Sequence, residues 1–294
     1  MSASHYASAF RPGLFAGRVA IITGGGSGIG RCTAHELAAL GAKVALIGRK
    51  IEKLDKVKAE IAAVGGEADG FTCDIREEER VKDTVAAILQ RFGRIDHLVN
   101  NAGGQFSAPL ESISAKGWDA VVRNNLTGGF LMAREVYTQW MKANGGGSIV
   151  NITADNWLGM PMMGHSGAAR AGMVNFTETA AYEWSPANVR VNAVAPGWIA
   201  SSGMDQYPPE MHERIRTLKN INPLGRMGTE SEVSASIVFL LSDAAAYISG
   251  STLRIDGAGP NAKVSRPLPK RTTPAHPSFD GFHLAELPKV LRDS

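Results

Sequence analysis

Short apolar runs alternate with longer stretches of helical periodicity along most of the chain. The runs are nearly continuous in apolar character and rich in β-branched residues, as is typical of strands that are buried on both faces of a parallel sheet. They occupy residues 19–23, 44–48, 71–74, 96–101, 148–153, 189–196 and 252–256. Seven strands in one unbroken alternation with helices predict a single doubly wound α/β domain of the Rossmann type, with a seven-stranded parallel sheet.

The two ends of the chain differ in composition from this middle part. Residues 1–13 lack the apolar core of a signal peptide, and proline, lysine, arginine and threonine accumulate after Pro260. We therefore expect an N-terminal arm at 1–13, one folded domain at 14–260 and an extended C-terminal arm at 261–294.

Composition narrows the classes of partner. With 44% hydrophobic residues, 20% charged residues and a formal net charge of +3, the chain is too weakly basic to indicate nucleic acid. Two cysteines encode neither a disulfide framework nor a cysteine-based metal site. No apolar stretch reaches the length of about 18 residues that a membrane span needs. We expect a cytoplasmic protein with a small-molecule substrate, no metal, and no nucleic-acid or membrane partner.

The first strand runs into a glycine-rich turn, "TGGGSGIG", ahead of a helix that we expect to begin near Arg31. Glycines let the backbone turn sharply and approach a pyrophosphate, whose charge the helix N-terminus then meets. At the first strand–helix junction of a parallel sheet, this pattern predicts dinucleotide binding. The residues concerned are Thr23, Gly24, Ser27, Gly28, Ile29 and Gly30.

The end of the second strand selects between the two nicotinamide cofactors. A carboxylate there holds the free ribose 2′-hydroxyl of NAD, but Gly48 is followed by Arg49 and Lys50. The planar guanidinium of Arg49 suits a 2′-phosphate, so NADP(H) is favoured over NAD(H). The alternative is that Arg49 is an exposed loop charge.

Further motifs resemble the short-chain dehydrogenase/reductase family. "NNAG" at 100–103, "NNLTG" at 124–128, "IVNIT" at 149–153 and "VRVNAVAPG" at 189–197 follow the family order within residues 14 to about 258. The resemblance implies an NAD(P)-binding domain in which Asn125 holds a water of the proton relay. It also implies that the cofactor lies against Asp74, Ile75, Asn101, Ala102, Gly103, Pro196, Gly197, Ile199 and Ser201.

One helix departs from the family pattern of Tyr-x-x-x-Lys with a threonine seven residues later. Counting back from Thr177 puts Arg170 at the lysine and Ser166 at the tyrosine. The family's catalytic serine falls on Thr153 or Ala154, and both assignments remain open.

A group of related reductases shows the same departure from the Tyr-x-x-x-Lys pattern. "GHSGAARAG" at 164–172 and the stretch after residue 100 resemble peroxisomal trans-2-enoyl-CoA reductases and their bacterial relatives, and more distantly 2,4-dienoyl-CoA reductases. Similar bacterial proteins are described as dehydrogenases of acyclic terpenoids such as citronellol. The resemblance also implies a homotetramer, or a dimer, formed through helices near 108–141 and 172–184 and through the last strands.

The side chains that replace the family's tyrosine and lysine favour reduction of a conjugated C=C bond. A serine hydroxyl does not titrate near neutral pH, so Ser166 is a poor proton acceptor for alcohol oxidation. Reduction needs donors aimed at the carbonyl oxygen, and Ser166, a water on Asn125 and the backbone near Gly104 and Gln105 are candidates. Arg170 keeps a positive charge for the cofactor ribose but cannot shuttle protons.

Loops at 157–164 and 200–211 flank the expected substrate cleft. His165 and Tyr207 are alternative proton donors, unless the histidine only packs and the tyrosine is only an exposed aromatic of the loop. Methionines in these loops indicate an adaptable apolar cavity, although core packing explains some of them equally well. The expected cleft residues are Gly104, Gln105, Trp157, Met160, His165, Met204 and Tyr207. Lys263, Arg266, Lys270 and Arg271 of the C-terminal arm either neutralise coenzyme A phosphates or are solvated charges.

Three functions follow as alternatives. The first is an NADP-dependent reductase of an enoyl-CoA-type thioester, and the second is a dehydrogenase of acyclic terpenoid alcohols or aldehydes. The third is a catalytically silent NADP-binding sensor or partner subunit. The residues that face the nicotinamide, together with Asn125, argue against the third, because a sensor needs only the adenosine end of the site.

Overall fold

The computed structural model describes residues 5–207, 209–262, 268, 274–275 and 277–292, and a parallel sheet forms its centre. The strands are β1 (Val19–Thr23), β2 (Lys43–Gly48), β3 (Glu67–Thr72), β4 (His97–Asn100), β5 (Gly147–Ile152), β6 (Val189–Pro196) and β7 (Thr252–Ile255). Their order across the sheet is β3-β2-β1-β4-β5-β6-β7, and every neighbouring pair is parallel. The predicted single α/β domain with a seven-stranded parallel sheet is confirmed.

Helices cover both faces of the sheet. They are α1 (Gly28–Ala39), α2 (Ile51–Ala63), α3 (Glu78–Phe92), α4 (Ala115–Val122), α5 (Gly128–Val136), α6 (Gly164–Glu183), α7 (His212–Ile221), α8 (Glu230–Leu241) and α9 (Lys289–Arg292). α1, α2 and α8 pack in the core that contains Ala20 and Ile22 of β1, whereas α3, α5 and α6 pack in the core that contains Ile21. Successive strand residues are therefore buried on opposite faces, which explains the continuous apolar runs. Within the described residues, no helix combines the length and the apolar character of a membrane span.

Two element boundaries differ from the sequence prediction. β3 covers Glu67–Thr72 rather than 71–74, because it is the edge strand and its partly exposed sequence, "EADGFT", gives no apolar signal. α1 begins at Gly28 rather than near Arg31, since the last glycine of the turn lies within the first turn of the helix.

The strand order reverses between β1 and β4. The chain builds outward from β1 to β3 and then returns to the other side of β1. In open α/β sheets, ligands bind in the crevice outside the carboxyl ends of the strands at such a reversal. The glycine-rich turn after β1 and residues 101–105 after β4 meet at this crevice.

The described parts of the two termini pack together across α1. The Ala7 N–H donates to the carbonyl of Gly281 at 2.8 Å, and Tyr6, Cys32 and Phe282 share a small buried cluster. The boundaries of the two predicted arms remain predictions. The basic residues Lys263, Arg266, Lys270 and Arg271 lie outside the described residues.

A smaller core lies beside the crevice and holds residues 200–207 and 209–221, which we call the lid. Its buried side chains are Met204, Ile215, Leu218, Val290 and Leu291. Arg216 Nε donates to the Val290 carbonyl at 2.9 Å, and the Val290 N–H donates to Asp205 Oδ1 at 3.1 Å. The C-terminal helix α9 therefore holds the lid in place.

Candidate active site

The glycine-rich turn is shaped so that side chains are excluded from its floor. A Cβ atom at Gly24 would lie 2.9 Å from Asn101 Nδ2, and one at Gly30 would collide with the Gly24 carbonyl oxygen. Gly24 also has φ +67°, a conformation that favours glycine. A Cβ at Gly28, by contrast, would meet only Glu230 Oε1 at 3.8 Å. The turn is thus a tight cradle that is open above the start of α1, which fits a pyrophosphate group.

Thr23 and Asn101 join the ends of β1 and β4. Thr23 Oγ1 accepts from the N–H groups of Asn101 at 3.0 Å and Ala102 at 2.9 Å, while Asn101 Nδ2 donates to the Thr23 carbonyl at 2.9 Å. These bonds fix the two walls of the crevice against each other.

A cavity of about 350 Å³ opens from the turn towards the second strand, which is within the size range of small-molecule sites. Eleven of the predicted cofactor residues line it: Gly24, Ser27, Gly28, Ile29, Arg49, Asp74, Ile75, Asn101, Ala102, Gly103 and Ser201. It is also lined by residues that we did not predict, namely Ile47, Gly48, Cys73, Asn124, Ser202 and Gly203. Asn124 precedes Asn125 in "NNLTG", so this motif could have identified it. Lys50 is exposed and does not line this cavity.

An exposed cation, Arg49, lies at the end of this cavity near β2. Arg49 is exposed and forms no ion pair within the described part of the chain. Asp74 is paired with Arg76, whose Nε donates to Asp74 Oδ1 at 2.8 Å, and this bond holds the pKa of the carboxyl below its usual range. Arg49 is therefore available to an anionic ligand, as a 2′-phosphate site requires.

Arg170 lies on α6 with its guanidinium against the backbone of residue 103. Its NH1 donates to the Ile152 carbonyl at 2.5 Å, and its NH2 would stand 2.6 Å from a Cβ at Gly103. Its Nε is buried without a protein partner, and burial lowers the pKa of the guanidinium to about 10, so it stays charged at neutral pH. A partly buried cation with an unused donor, and with no carboxylate partner among the described residues, fits a ligand that supplies hydroxyl oxygens, as a ribose does.

Asn125 holds the loop after β4. It lies in the π-helical stretch Arg123–Thr127 that joins α4 to α5, and its side chain is buried. Its Nδ2 donates to the carbonyls of Gly104 at 2.6 Å and Val121 at 2.9 Å, and its Oδ1 accepts from the Gly104 N–H at 3.2 Å. Both amide hydrogens are thus used by the protein, so the position of the Gly104 backbone depends directly on Asn125.

Ser166, Gln105 and Tyr207 form a chain of hydrogen bonds between α6 and the lid. Ser166 Oγ donates to Gln105 Oε1 at 2.5 Å, and Gln105 Nε2 donates to the Tyr207 hydroxyl at 3.2 Å. Ser166 is fully buried. The structure therefore joins three predicted cleft residues, but it assigns the hydroxyl proton of Ser166 to Gln105 rather than to a substrate.

Two other predicted residues, Thr153 and His165, use their polar groups within the protein. The Thr153 hydroxyl donates to the Val194 carbonyl at 3.0 Å and is buried, so its proton is used by the sheet. His165 has no exposed surface; its Nδ1 accepts from the Ser166 N–H, and its ring packs edge-on against Phe106. This contact supports the packing interpretation of His165.

The three remaining cleft predictions have different outcomes. Met204 is buried in the core of the lid with Ile215 and Leu218 of α7, and its place in the cleft stays a prediction. Met160 lies against the first turn of α6, 3.2 Å from where a Cβ at Gly167 would stand. Trp157 is about half exposed and stacks with the guanidinium of Arg254.

The residues after β6 take their positions from β7 and the lid. A Cβ at Gly197 would lie 2.8 Å from Asp256 Cα, so only glycine permits this close approach after Pro196. Ile199 is buried and forms a β-bridge with Gly228, from which the chain leads into the lid.

Glu230 was not among the predicted residues, because nothing near it in the sequence marks it. It begins α8, and its carboxylate faces Gly28 of the cradle. The pKa of Glu230 is raised to about 7, chiefly by burial and also by Asp280, while Arg31 and the Ser202 N–H act in the opposite direction. Glu230 is therefore a carboxyl group beside the predicted pyrophosphate position that ionises near neutral pH.

We expect dinucleotide affinity to fall as pH rises through about 7, because the ionised Glu230 repels the pyrophosphate while the protonated form does not. The repulsion between two like charges near a protein surface is enough for roughly a tenfold change in affinity. Glu230→Gln should remove this difference when cofactor binding is titrated by fluorescence at pH 6 and pH 8. An unchanged pH dependence in the Gln variant contradicts the assignment.

Comparison with known proteins supports the interpretation of this crevice. The family model described as "Enoyl-(Acyl carrier protein) reductase" matches residues 24–258. The chain is 38% identical over 242 residues to "Probable 2,4-dienoyl-CoA reductase" of Bacillus subtilis (strain 168), which covers 82% of this chain and 95% of that protein.

Solved structures share the whole fold. A citronellol catabolism dehydrogenase of Pseudomonas aeruginosa PAO1 is 61% identical with a TM-score of 0.77, covering 86% of this chain and 99% of that one. A protein from Beutenbergia cavernae with NADP bound at low occupancy is 36% identical with a TM-score of 0.79, covering 86% of this chain and 100% of that one.

Proposed function

The chain belongs to the short-chain dehydrogenase/reductase family and is an oxidoreductase, and on that premise we propose that it reduces the conjugated C=C bond of an enoyl-CoA-type substrate with NADPH. The observation that carries the proposal is the composition of α6 at the cleft. Ser166 gives its proton to Gln105, and Arg170 stays protonated, so neither residue accepts a proton from an alcohol.

Reduction of a conjugated double bond does not need such an acceptor. Negative charge moves to the carbonyl oxygen and a proton then arrives, so hydrogen-bond donors and a proton source suffice. The 38% identity to a protein named as a dienoyl-CoA reductase supports this reaction class.

The residues at the crevice have complementary roles towards the cofactor, which supplies the hydride when it is bound. The glycine cradle and the start of α1 hold the pyrophosphate, Arg170 holds the nicotinamide ribose, and Arg49 binds the 2′-phosphate. Asn125 positions the loop that carries Gln105 towards the substrate.

We expect Arg49→Ala to weaken NADPH binding by roughly tenfold or more, the effect of one lost charge-assisted contact, and to leave NADH binding nearly unchanged. Lys50→Ala is the matched control, because Lys50 is equally exposed but does not line the cavity. Fluorescence titration of both cofactors measures the effect. Equal losses for NADPH and NADH contradict a role for Arg49 in recognition of the 2′-phosphate.

A second candidate is oxidation or reduction of an acyclic terpenoid alcohol or aldehyde. The 61% identity to a citronellol catabolism dehydrogenase favours it. It requires a proton acceptor other than Ser166 or Arg170.

Activity measured on one panel of substrates distinguishes the two candidate functions. NADPH oxidation is followed with crotonyl-CoA, (2E)-decenoyl-CoA and citronellal, and the reverse reaction is followed with citronellol and NADP⁺. The proposal predicts turnover of an enoyl thioester above that of citronellal. Turnover of citronellal and citronellol alone favours the second candidate.

We also propose that the protein forms a homotetramer and that it is located in the cytoplasm. Phe130 of α5 and Tyr182 of α6 are large exposed aromatic residues on the two helices that the family resemblance places at an interface. Both cysteines are free and buried, as expected of a protein kept in a reducing compartment. Light scattering that gives the monomer mass of 31.2 kDa contradicts the assembly.

A further inference from the structure

We propose that Tyr207 of the lid is the proton donor of the reduction. This inference rests on the proposed reductive function, and it adds a catalytic residue from a different part of the chain.

With the Gln105 amide oriented as in the structure, its two ends set the direction of each hydrogen bond in the Ser166–Gln105–Tyr207 chain. The amide oxygen of Gln105 only accepts, so the Ser166 hydroxyl, 2.5 Å away, donates its single proton to it. The amide nitrogen of Gln105 only donates, so the Tyr207 oxygen, 3.2 Å away, accepts. The phenolic proton is consequently not used within this chain, and Tyr207 is its one hydroxyl that is left to donate to a substrate.

Both ends of the chain are held by the protein. Ser166 is buried on α6, and Asn125 fixes the backbone of Gly104 next to Gln105. On the lid, the ring of Tyr207 packs against the core around Met204, and His212 Nε2 donates to the Tyr207 carbonyl at 3.1 Å. The phenol is thus presented in one orientation, with Ser166 and Gln105 acting as positioning residues.

The proton transfer balances with the hydride that NADPH supplies. The phenolic O–H bond of Tyr207 breaks, and its proton forms an O–H bond at the carbonyl oxygen of the substrate, whose β-carbon has received the hydride. The resulting enol loses this proton and gains one from water at the α-carbon, which gives the saturated thioester. NADPH is oxidised, the C=C bond is reduced, and the Tyr207 phenolate recovers a proton from water.

Tyr207→Phe tests the donor directly, because the ring and its packing are retained while the proton is removed. We expect kcat to fall by about 100-fold or more, the usual contribution of a general acid, with unchanged affinity for NADPH. Tyr247→Phe is the matched control; Tyr247 is fully exposed, so kcat should stay at the wild-type value. The assay uses the panel substrate that the wild type reduces fastest, whether an enoyl thioester or citronellal.

Gln105→Glu provides an independent test that removes no part of Tyr207. An ionised Glu accepts from both hydroxyls, so the phenolic proton becomes engaged and kcat should fall at neutral pH. The loss should diminish below about pH 5, where the protonated acid donates to the phenol as the amide does. A loss that does not vary with pH contradicts the proposal.

Ligand binding separates this inference from the proposed function. Octanamide has a carbonyl that accepts a hydrogen bond but is not reduced, and its affinity for the protein–NADP⁺ complex is measured by calorimetry. We expect Tyr207→Phe to bind octanamide about tenfold more weakly than the wild type, the effect of one lost hydrogen bond. Equal affinity of the two proteins, or no binding by either, contradicts the inference whatever the reaction proves to be.

Discussion

Arg170→Ala should weaken NADPH binding by about 10- to 100-fold, because the cofactor ribose loses charge-assisted hydrogen bonds worth about 1.5 to 3 kcal/mol. The same variant should unfold at the wild-type temperature or above it. Arg170 is a partly buried cation that has no carboxylate partner in the described part of the chain, so its removal relieves a desolvation cost that compensates for the lost bond to the Ile152 carbonyl. Fluorescence titration and thermal unfolding measure the two effects.

Arg170→Lys is the control for charge. It keeps a cation at this position but not the planar fork, so it should retain part of the affinity. An Arg170→Ala protein that binds NADPH as well as the wild type does, or one that loses affinity only because it unfolds, contradicts the assignment of this residue to the cofactor.

Asn125→Asp should reduce both activity and stability. A carboxylate at this position faces the carbonyl oxygens of Gly104 and Val121 with no hydrogen to donate, in a buried site. We expect a loss of about 3 kcal/mol in the free energy of unfolding, as for an uncompensated buried charge. We also expect kcat to fall with it, because the loop that carries Gln105 moves away from Ser166. Chemical denaturation and steady-state kinetics are the measurements.

Asn144→Asp is the matched control for this prediction. Asn144 is an exposed asparagine that donates to the Trp140 carbonyl, far from the cleft at the other end of the sheet. It should change stability by less than about 0.5 kcal/mol. Similar losses in both Asp variants contradict the positioning role of Asn125.

The sequence was sufficient for the fold because most strands are buried on both faces and are therefore apolar throughout. The edge strand β3 was misplaced for the opposite reason, since its exposed side chains are free of that constraint. The cofactor-binding end of the site could also be predicted, because the glycine-rich turn and the other motifs are each formed by residues that are adjacent in the sequence. Gly24 and Gly30 are required because a Cβ atom at either position would collide with neighbouring atoms of the turn or of Asn101.

The substrate end could not be predicted in the same way. Gln105 is 61 residues from Ser166 and 102 residues from Tyr207, so no local pattern reveals that one amide lies between the two hydroxyls. The sequence indicated a serine that donates to the substrate, whereas the structure assigns its proton to Gln105. Glu230 likewise reaches the cradle only through the packing of α8 against α1.

The position of the transferred hydride tests the central claim most directly. The protein is incubated with (2E)-decenoyl-CoA and NADPH that carries deuterium at the transferred position, and the product is analysed by NMR. Reduction of the conjugated bond predicts decanoyl-CoA with one deuterium at the β-carbon and a solvent proton at the α-carbon. Absence of deuterium from the thioester, together with citronellol deuterated at C1 when citronellal is supplied instead, would contradict the account and establish carbonyl reduction as the reaction.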